Sequence, residues 1–371
     1  MGEEALNLPA VSVRRIRGEE KEAVKSLAGR SFPPLGGVFF SPSQHTLVAV
    51  RDGRVVGAVV PMLFMLPGKR RRGAIFWLMT DSQARSTGVG GCLVEAALGF
   101  LEERGCREVL ACVEGYNTSS SNIFATHGFA ILSPGEQLER YGLLGTFVLW
   151  IKMFRLGADI GNFLWVRPGA TKRDHPGFQW WASVLLSVLI FLLAGWRGGW
   201  MEGLGPATVL SAVLAIVALF GLREVTMRVA ARLQALSVRY RVWEASLPLS
   251  AGIALMLGWF FPVPGSVYPQ GDTWRYRNLI PKLGPTAFAG ASAVLAFTWV
   301  AWALLHFSVP PPEIVTWLHF GQVAGQMLAF FEVLLPLSIF VSFNGRRVWD
   351  WSRPAWAVLA AATLGLFLAR G

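Results

Sequence analysis

Residues 83–93 read Gln-Ala-Arg-Ser-Thr-Gly-Val-Gly-Gly-Cys-Leu and place a cation, hydroxyls and glycines in one short turn. An apolar run over 74–79 precedes them and reads as a strand; residues 93–101 follow with apolar side chains at helical spacing. A turn of this kind aims backbone N–H groups at whatever sits on the helix N-terminus, and the helix dipole favours an anion there. Gly88 and Gly90 remove side chains that would block a phosphate, and Arg85 adds a positive charge. The chemistry on offer is phosphate binding. The segment lacks the Gly-Lys-Ser/Thr ending of a P-loop and the G-x-G-x-x-G spacing of dinucleotide folds.

The spacing Arg-x-x-Gly-x-Gly over 85–90 resembles the pyrophosphate-binding motif of the GNAT acetyltransferase superfamily. Further on, a second strand reads over 107–113, and Asn117, Phe124 and Gly128-Phe129 follow it at the intervals at which GNAT domains carry an Asn, an aromatic (usually Tyr) and Gly-Phe. With a hairpin over 46–59 that turns on Asp52-Gly53, the resemblance covers residues 10–155. It implies an α/β (α+β) domain built on a central mixed sheet, acetyl-CoA as co-substrate and an amine as acceptor. On that resemblance Arg85, Ser86, Thr87, Gly88, Val89, Gly90 and Gly91 would hold the pyrophosphate. The backbone of the strand after Phe76, at Leu78 and Met79, would hold the pantetheine and polarise the thioester carbonyl. Asn117 would bond the cofactor arm. Phe124 stands where the family often has a tyrosine acid, and a phenyl ring has no proton to give. For the base the candidates are Glu114 and Asp81, each with an ordinary alternative as a solvated or capping carboxylate.

Other elements must position these residues. Residues 11–16 read as a first strand, 19–29 as a helix with Ala23, Val24 and Leu27 inward, and 145–154 as the last strand of the sheet. The basic turn over 67–73 holds Lys69, Arg70, Arg71 and Arg72, which read as solvated cations or as contacts to anionic lipid or a cofactor phosphate. Cys92, Cys106 and Cys112 have no metal spacing and read as reduced core residues; no metal is expected.

The chain has 371 residues, 53% hydrophobic and only 15% charged, too apolar for an ordinary soluble protein. Charges are frequent before about residue 155 and sparse after 178. This predicts three parts: a domain over 1–155, a basic linker over 156–177 whose Phe163, Leu164 and Trp165 anchor in an interface, and an all-α polytopic membrane domain over 178–371. Segments 178–196, 203–222, 286–307, 317–343 and 354–368 read as spans, and 246–261 as a re-entrant element. That arrangement puts the basic segments of 152–173, 223–241, 275–282 and 346–353 on one side with the first domain, in the cytoplasm. The net charge of +11 then reflects this bias, with no nucleic-acid partner; a multi-pass protein of the cytoplasmic or plasma membrane is expected.

The membrane half resembles archaeal-type site-two intramembrane metalloproteases at 222–232, 240–243, 263–267, 283–285 and 344–349. In that family the first stretch reads His-Glu-x-x-His and the last Asp-Gly, a zinc site. Here Arg223, Met227 and Asn344 occupy those ligand positions and only Glu224 remains, so the fold is carried over and the protease activity is not. Glu224 is expected to pair with Arg223 or Arg228. Two functions follow: a membrane-tethered acetyl-CoA-dependent N-acetyltransferase, or a non-catalytic acetyl-CoA sensor whose pseudo-protease half binds a partner helix.

Overall fold

The computed structural model describes residues 11–32, 40–67, 70–154, 160–169, 175–201, 203–271, 273–335 and 341–369. The chain divides into two compact units. The first takes in the described residues of Met1–Val113, Ser119–Met153 and Leu164–Lys172; the second takes in those of Glu114–Thr118, Phe154–Phe163 and Arg173–Gly371.

The first unit is a mixed sheet with helices. Strands β1 (Ser12–Arg15), β2 (Leu47–Arg51), β3 (Arg54–Leu66), β4 (Arg70–Thr80), β5 (Val109–Glu114), β6 (Ala130–Ile131) and β7 (Asn162–Arg167) lie in the order β1-β2-β3-β4-β5-β7-β6. The first four are antiparallel neighbours and β4 pairs with β5 in parallel. Asp52 and Gly53 both take positive φ (51° and 73°), which lets a tight turn close the β2–β3 hairpin with the twist of its strands. Helix α1 (Lys21–Ser31) buries Val24, Leu27 and Ala28 against Val48, Ala58, Val60 and Met79. Helix α2 (Val89–Glu102) turns Val89, Leu93, Val94, Ala97, Leu98 and Leu101 inward. Helix α3 (Thr118–Thr126) follows β5.

Three sequence expectations are corrected here. Residues 145–154 do not form the last strand; they lie in helix α4 (Pro134–Met153) up to Met153. The run is apolar at nearly every position, so neither a period of two nor one of 3.6 stands out, and a short apolar run is compatible with either element. Gly142, at φ 68° and ψ 176°, breaks α4 into two helical halves. The closing strand is instead β7, which pairs antiparallel with β6 through Ala130↔Val166 and Ile131↔Trp165. Phe163, Leu164 and Trp165 are therefore buried core residues and not interfacial anchors. The cysteines also differ from expectation: Cys106 is buried, Cys112 half-buried and Cys92 exposed.

The second unit is helical. Helices α5 (Pro176–Gly198), α6 (Pro206–Leu233), α8 (Tyr276–Phe307) and α9 (Pro312–Ala329, continued by a π turn over Phe330–Leu334) are, among the described residues, the four long and apolar enough to cross a membrane. Proline opens α5, α6 and α9, where a missing N–H costs nothing. Helix α8 starts earlier than expected, carrying Pro281 and Pro285 inside it. Helix α11 (Arg353–Leu368, 16 residues) is shorter than the roughly 20 residues a span needs. Helix α10 (Asn344–Trp351) precedes it. Helix α7 (Leu247–Leu257, 11 residues) lies between β8 (Val238–Arg241) and β9 (Ser266–Pro269), which pair antiparallel. The chain therefore leaves β8, makes one short apolar helix, and returns to the place it left. Tyr240 Oη donates to Pro264 O at 2.7 Å, and Ser250 Oγ donates to Phe261 O, closing the excursion.

Candidate active site

The centre of the first unit is a break in sheet pairing. Along β3–β4 the register steps from Val60↔Trp77 to Pro61↔Ile75, so Phe76 is the extra residue of a β-bulge. On its other edge β4 pairs with β5 only through Gly73↔Val109, Ala74↔Leu110 and Ile75↔Ala111. The register does not continue to Leu78 and Met79. The bulge and the end of the parallel ladder coincide, so the two strands diverge where the sequence places Leu78 and Met79. Both remain held from behind by β3, through Val59↔Leu78 and Ala58↔Met79. Beyond the bulge β4 keeps its ladder with β3 while its ladder with β5 has ended, the geometry in which backbone groups of Leu78 and Met79 can pair with a ligand arm as a sheet strand would.

This edge leads straight into the turn. Asp81 caps a short 3₁₀ turn over Ser82–Ala84, its Oδ1 accepting from Gln83 N at 3.1 Å. Arg85 is extended and exposed, Ser86 takes φ 63°, and Gly88 takes φ 83° before α2 begins at Val89. Cys92 N donates to Gly88 O at 3.1 Å, so the N–H groups of Val89, Gly90 and Gly91 form the open first turn of α2. The two glycines of the motif serve different ends. A Cβ at Gly88 would meet nothing within 4 Å, so the left-handed backbone and the open space before it are what glycine provides. A Cβ at Gly90 would lie 2.8 Å from Ile123 Cδ1, so that glycine serves the packing of α2 on α3. A second cation reaches the turn from far away in sequence: Arg51, at the end of β2, donates from Nη2 to Thr87 Oγ1 at 3.2 Å, and Thr87 Oγ1 donates to Ala84 O at 2.8 Å. Sequence reasoning missed Arg51; its only signal is its place beside the Asp52-Gly53 turn.

The two carboxylates differ. Asp81 accepts from Gln83 N and from Arg30 Nη2 (3.3 Å), and these hold its carboxyl below the usual range. Glu114 falls in the second unit, where Ser342 Oγ donates to its Oε1 at 2.6 Å and Tyr116 N donates to its Oε2 at 2.8 Å. Burial raises its carboxyl above the usual range, against the Ser342 and Tyr116 hydrogen bonds and the Arg347 charge. Asn117 is exposed in the same stretch, with its N–H donating to Glu114 O at 3.0 Å. Neighbouring residues of that stretch are tied down: Tyr116 Oη donates to Val267 O at 3.0 Å, and Tyr276 N donates to Thr118 Oγ1 at 3.0 Å. Phe124 is buried on α3 and packs edge-to-face on Phe129, with ring centroids 5.0 Å apart. Of the basic turn, Arg72 pairs with Glu108 at 2.7 Å and Arg71 is exposed; Lys69 lies outside the described residues.

The second unit brings together Arg223, Met227 and Asn344. Arg223 Nε donates to Glu332 Oε1 at 2.9 Å, and both side chains are fully buried, at 1% and 0% exposure. Arg223 Nη1 donates to Gly265 O at 3.2 Å. Asn344 Nδ2 donates to Glu332 Oε1 and lies 3.6 Å from Met227 Sδ, while Arg347 Nη2 donates to Asn344 Oδ1. Glu224 pairs with Arg228 at 2.6 Å. This centre does not fit zinc: a guanidinium occupies it, and its one carboxylate is already spent on that guanidinium. Among the described residues no three His, Cys, Asp or Glu side chains converge on a metal position.

Comparisons with known proteins match the first unit. Residues 13–129 match the model of the Acetyltransferase (GNAT) family. N-alpha-acetyltransferase 30 of Homo sapiens is 35% identical over 111 residues, which is 30% of this chain and 30% of that protein. The Xenopus laevis protein of the same name is 35% identical over 111 residues, 30% of this chain and 40% of its own length. The match thus spans well under half of these curated relatives. Among solved structures, the NatC complex bound to Gag peptide and CoA aligns at 18% identity with TM-score 0.31, covering 43% of this chain and 99% of that one. Arabidopsis thaliana Naa50 in complex with a bisubstrate analogue aligns at 17% and 0.31, covering 42% and 97%. N-acetylglutamate synthase from Neisseria gonorrhoeae, complexed with coenzyme A and N-acetyl-glutamate, aligns at 18% and 0.32, covering 43% and 35%.

Proposed function

We propose that this chain is a membrane-tethered, acetyl-CoA-dependent N-acetyltransferase that moves an acetyl group to an amine. The observation that carries this is the coincidence of three features on one strand. β4 bulges at Phe76, its pairing with β5 ends at Ile75, and it runs into the Arg85–Gly91 turn at the N-terminus of α2. A pantetheine arm fits the strand edge at Leu78 and Met79, and a pyrophosphate fits the turn, with Arg85 and Arg51 as its cations. The family match over 13–129 supports the same reading. The names of the relatives favour the α-amine of a peptide as acceptor.

In the reaction the amine nitrogen attacks the thioester carbonyl and the carbon–sulfur bond breaks. The thiolate takes up a proton and the amine gives one up. Backbone N–H groups of the strand edge polarise the carbonyl. Glu114, with its raised proton affinity, is the better base of the two carboxylates; Asp81, held low by its capping bonds, is the poorer. Phe124 contributes shape and no proton, so the thiolate is protonated by water.

The helices α5, α6, α8 and α9 tether the chain in a bilayer, with the excursion through α7 as a re-entrant element and the basic segments on the cytoplasmic side. A second reading, an acetyl-CoA sensor with a pseudo-protease half that receives a partner helix, draws on the buried Phe124 and on the Arg223–Glu332 pair at the centre of the helical unit.

The experiment is titration of the full chain in nanodiscs with acetyl-CoA, followed by a free-thiol assay against peptides with free α-amines. Binding with thiol release supports the transferase. Binding without release for every amine tried favours the sensor, and a folded chain that does not bind refutes both.

A further inference from the structure

The helical half of α4 after Gly142, residues 143–153, is apolar on both faces. One face, with Thr146, Leu149 and Met153, is buried in the first unit. The other carries Leu143, Leu144, Phe147 and Ile151, exposed at 80%, 66%, 55% and 57%. Side chains four apart lie on one face of a helix, so Leu143, Phe147 and Ile151 form a stripe. A surface helix of a water-soluble domain carries charge on its outer face; here the only charge is Lys152 at the end. The half-helix rises about 16 Å, too short to cross a hydrocarbon core of about 30 Å.

From this we infer that α4 lies flat in the interface of an anionic phospholipid bilayer, with Leu143, Leu144, Phe147 and Ile151 in the acyl boundary. Three observations select lipid as the occupant. First, the stripe is continuous, aliphatic and aromatic. Second, two cations of the same helix stand exposed at the ends of the stripe, Arg140 before it and Lys152 at the helix end, against one exposed carboxylate, Glu139. Third, α4 belongs to a unit that is covalently followed by the first helix able to cross a membrane, which starts at Pro176. A tether that short keeps the unit at a bilayer, so a weak interfacial affinity suffices to hold the helix down. The inference rests on the membrane reading of those helices.

The test is photo-crosslinking of the full chain in nanodiscs of phosphatidylcholine with phosphatidylglycerol. Benzoylphenylalanine is placed in turn at Leu144, Phe147 and Ile151, and at the exposed Glu103 as control; a position whose variant does not fold is replaced by the other two. Lipid adducts on the α4 peptide at these positions, absent at Glu103 and reduced when phosphatidylglycerol is left out, are the expected result. A crosslinked pair of chains, a crosslink to another peptide of the same chain, or no adduct overturns it. A chain that does not enter the nanodiscs at all removes the membrane reading first, and is distinguished by flotation of the unsubstituted protein.

Discussion

Replacing Gly88 separates the backbone's part in the turn from that of the space before it. Gly88 sits at φ 83°, with nothing within 4 Å of where a Cβ would project. Gly88→Ala therefore meets no clash, but it holds an L-residue in the left-handed region at about 1–2 kcal/mol. That strain is present with and without acetyl-CoA, so it lowers stability and leaves the dissociation constant within about threefold. Gly88→Glu carries the same strain and adds a carboxylate at the mouth of the turn. At about 5 Å from a phosphate, with exposed-site screening equivalent to a dielectric of about 40–80, each phosphate charge repels it by about 1–2 kcal/mol. Two phosphates give about 2–3 kcal/mol, or roughly 30- to 150-fold weaker binding. The assay is calorimetric titration of the three full-length proteins with acetyl-CoA, with a melting curve for each. An unchanged affinity for a folded Gly88→Glu protein would falsify the assignment of a pyrophosphate to this turn. An Ala variant as weak as the Glu variant would move the effect from charge to backbone.

Further outcomes are expected. Glu114→Gln distinguishes a base from a structural carboxyl: as the base its loss should cut turnover by about 10²-fold or more, while acetyl-CoA binding holds. Its pH signature has a definite sign. The folded-state pKa is raised, so the folded protein binds the proton more tightly, and stability falls as pH rises from the unfolded value through the folded one. Glu114→Gln should flatten that fall, and a melting series from acid to alkaline pH that shows the same slope in both proteins refutes it. Asp81 is the opposite case: its pKa is lowered, so its contribution is present above the unfolded value and lost as pH falls through the folded one. Asp81→Asn should cost about 0.5–1 kcal/mol as a weakened cap, with turnover kept; a loss of turnover at intact binding would make Asp81 the base. Arg223→Met leaves Glu332 charged and buried alone and should destabilise by about 3–5 kcal/mol, much of it recovered in the Arg223→Met/Glu332→Met double variant. Strictly additive losses in thermal melts would refute the pairing. A fragment ending at residue 155 should not fold: it removes Leu164, Trp165 and Val166 from the core, at about 1.5–3 kcal/mol each, against a total stability of about 5–15 kcal/mol. A soluble, cooperatively melting fragment would refute the place of β7.

The elements around the turn of the first unit were legible because their signals are local. Strand, turn and helix over 74–101 carry their own signals: an apolar run, glycines where the backbone turns left-handed, and helical spacing after them. The hairpin was legible for the same reason, since Asp52-Gly53 fits positive φ at both positions. What was not legible depends on partners distant in sequence. No local signal ties Arg51 to Thr87, Glu332 to Arg223, or Ser342 to Glu114. The strand read over 145–154 failed because an evenly apolar run does not choose between periods, and Gly142 is a break only in the folded chain. Phe163, Leu164 and Trp165 were read as membrane anchors because large apolar residues beside basic ones fit an interface equally well; pairing with β6 decides in favour of the core.

The polar centre of the helical unit shows how one neutral residue can link buried charges. Arg223 supplies one positive charge, and Glu332, turned inward from the π turn Phe330–Leu334, supplies one negative. Asn344 is the link: its amide nitrogen donates to Glu332 and its carbonyl oxygen accepts from Arg347. An aspartate at 344 would set a carboxylate oxygen against the Glu332 carboxylate, where the amide now donates. Arg347 would pair with one oxygen of that aspartate, while the other would face Glu332 and repel it unless it carried a proton. Asparagine fits because it both donates and accepts, as an ionised aspartate cannot. The asparagine at 344 is thus matched to the Glu332 carboxylate that Arg223 holds beside it.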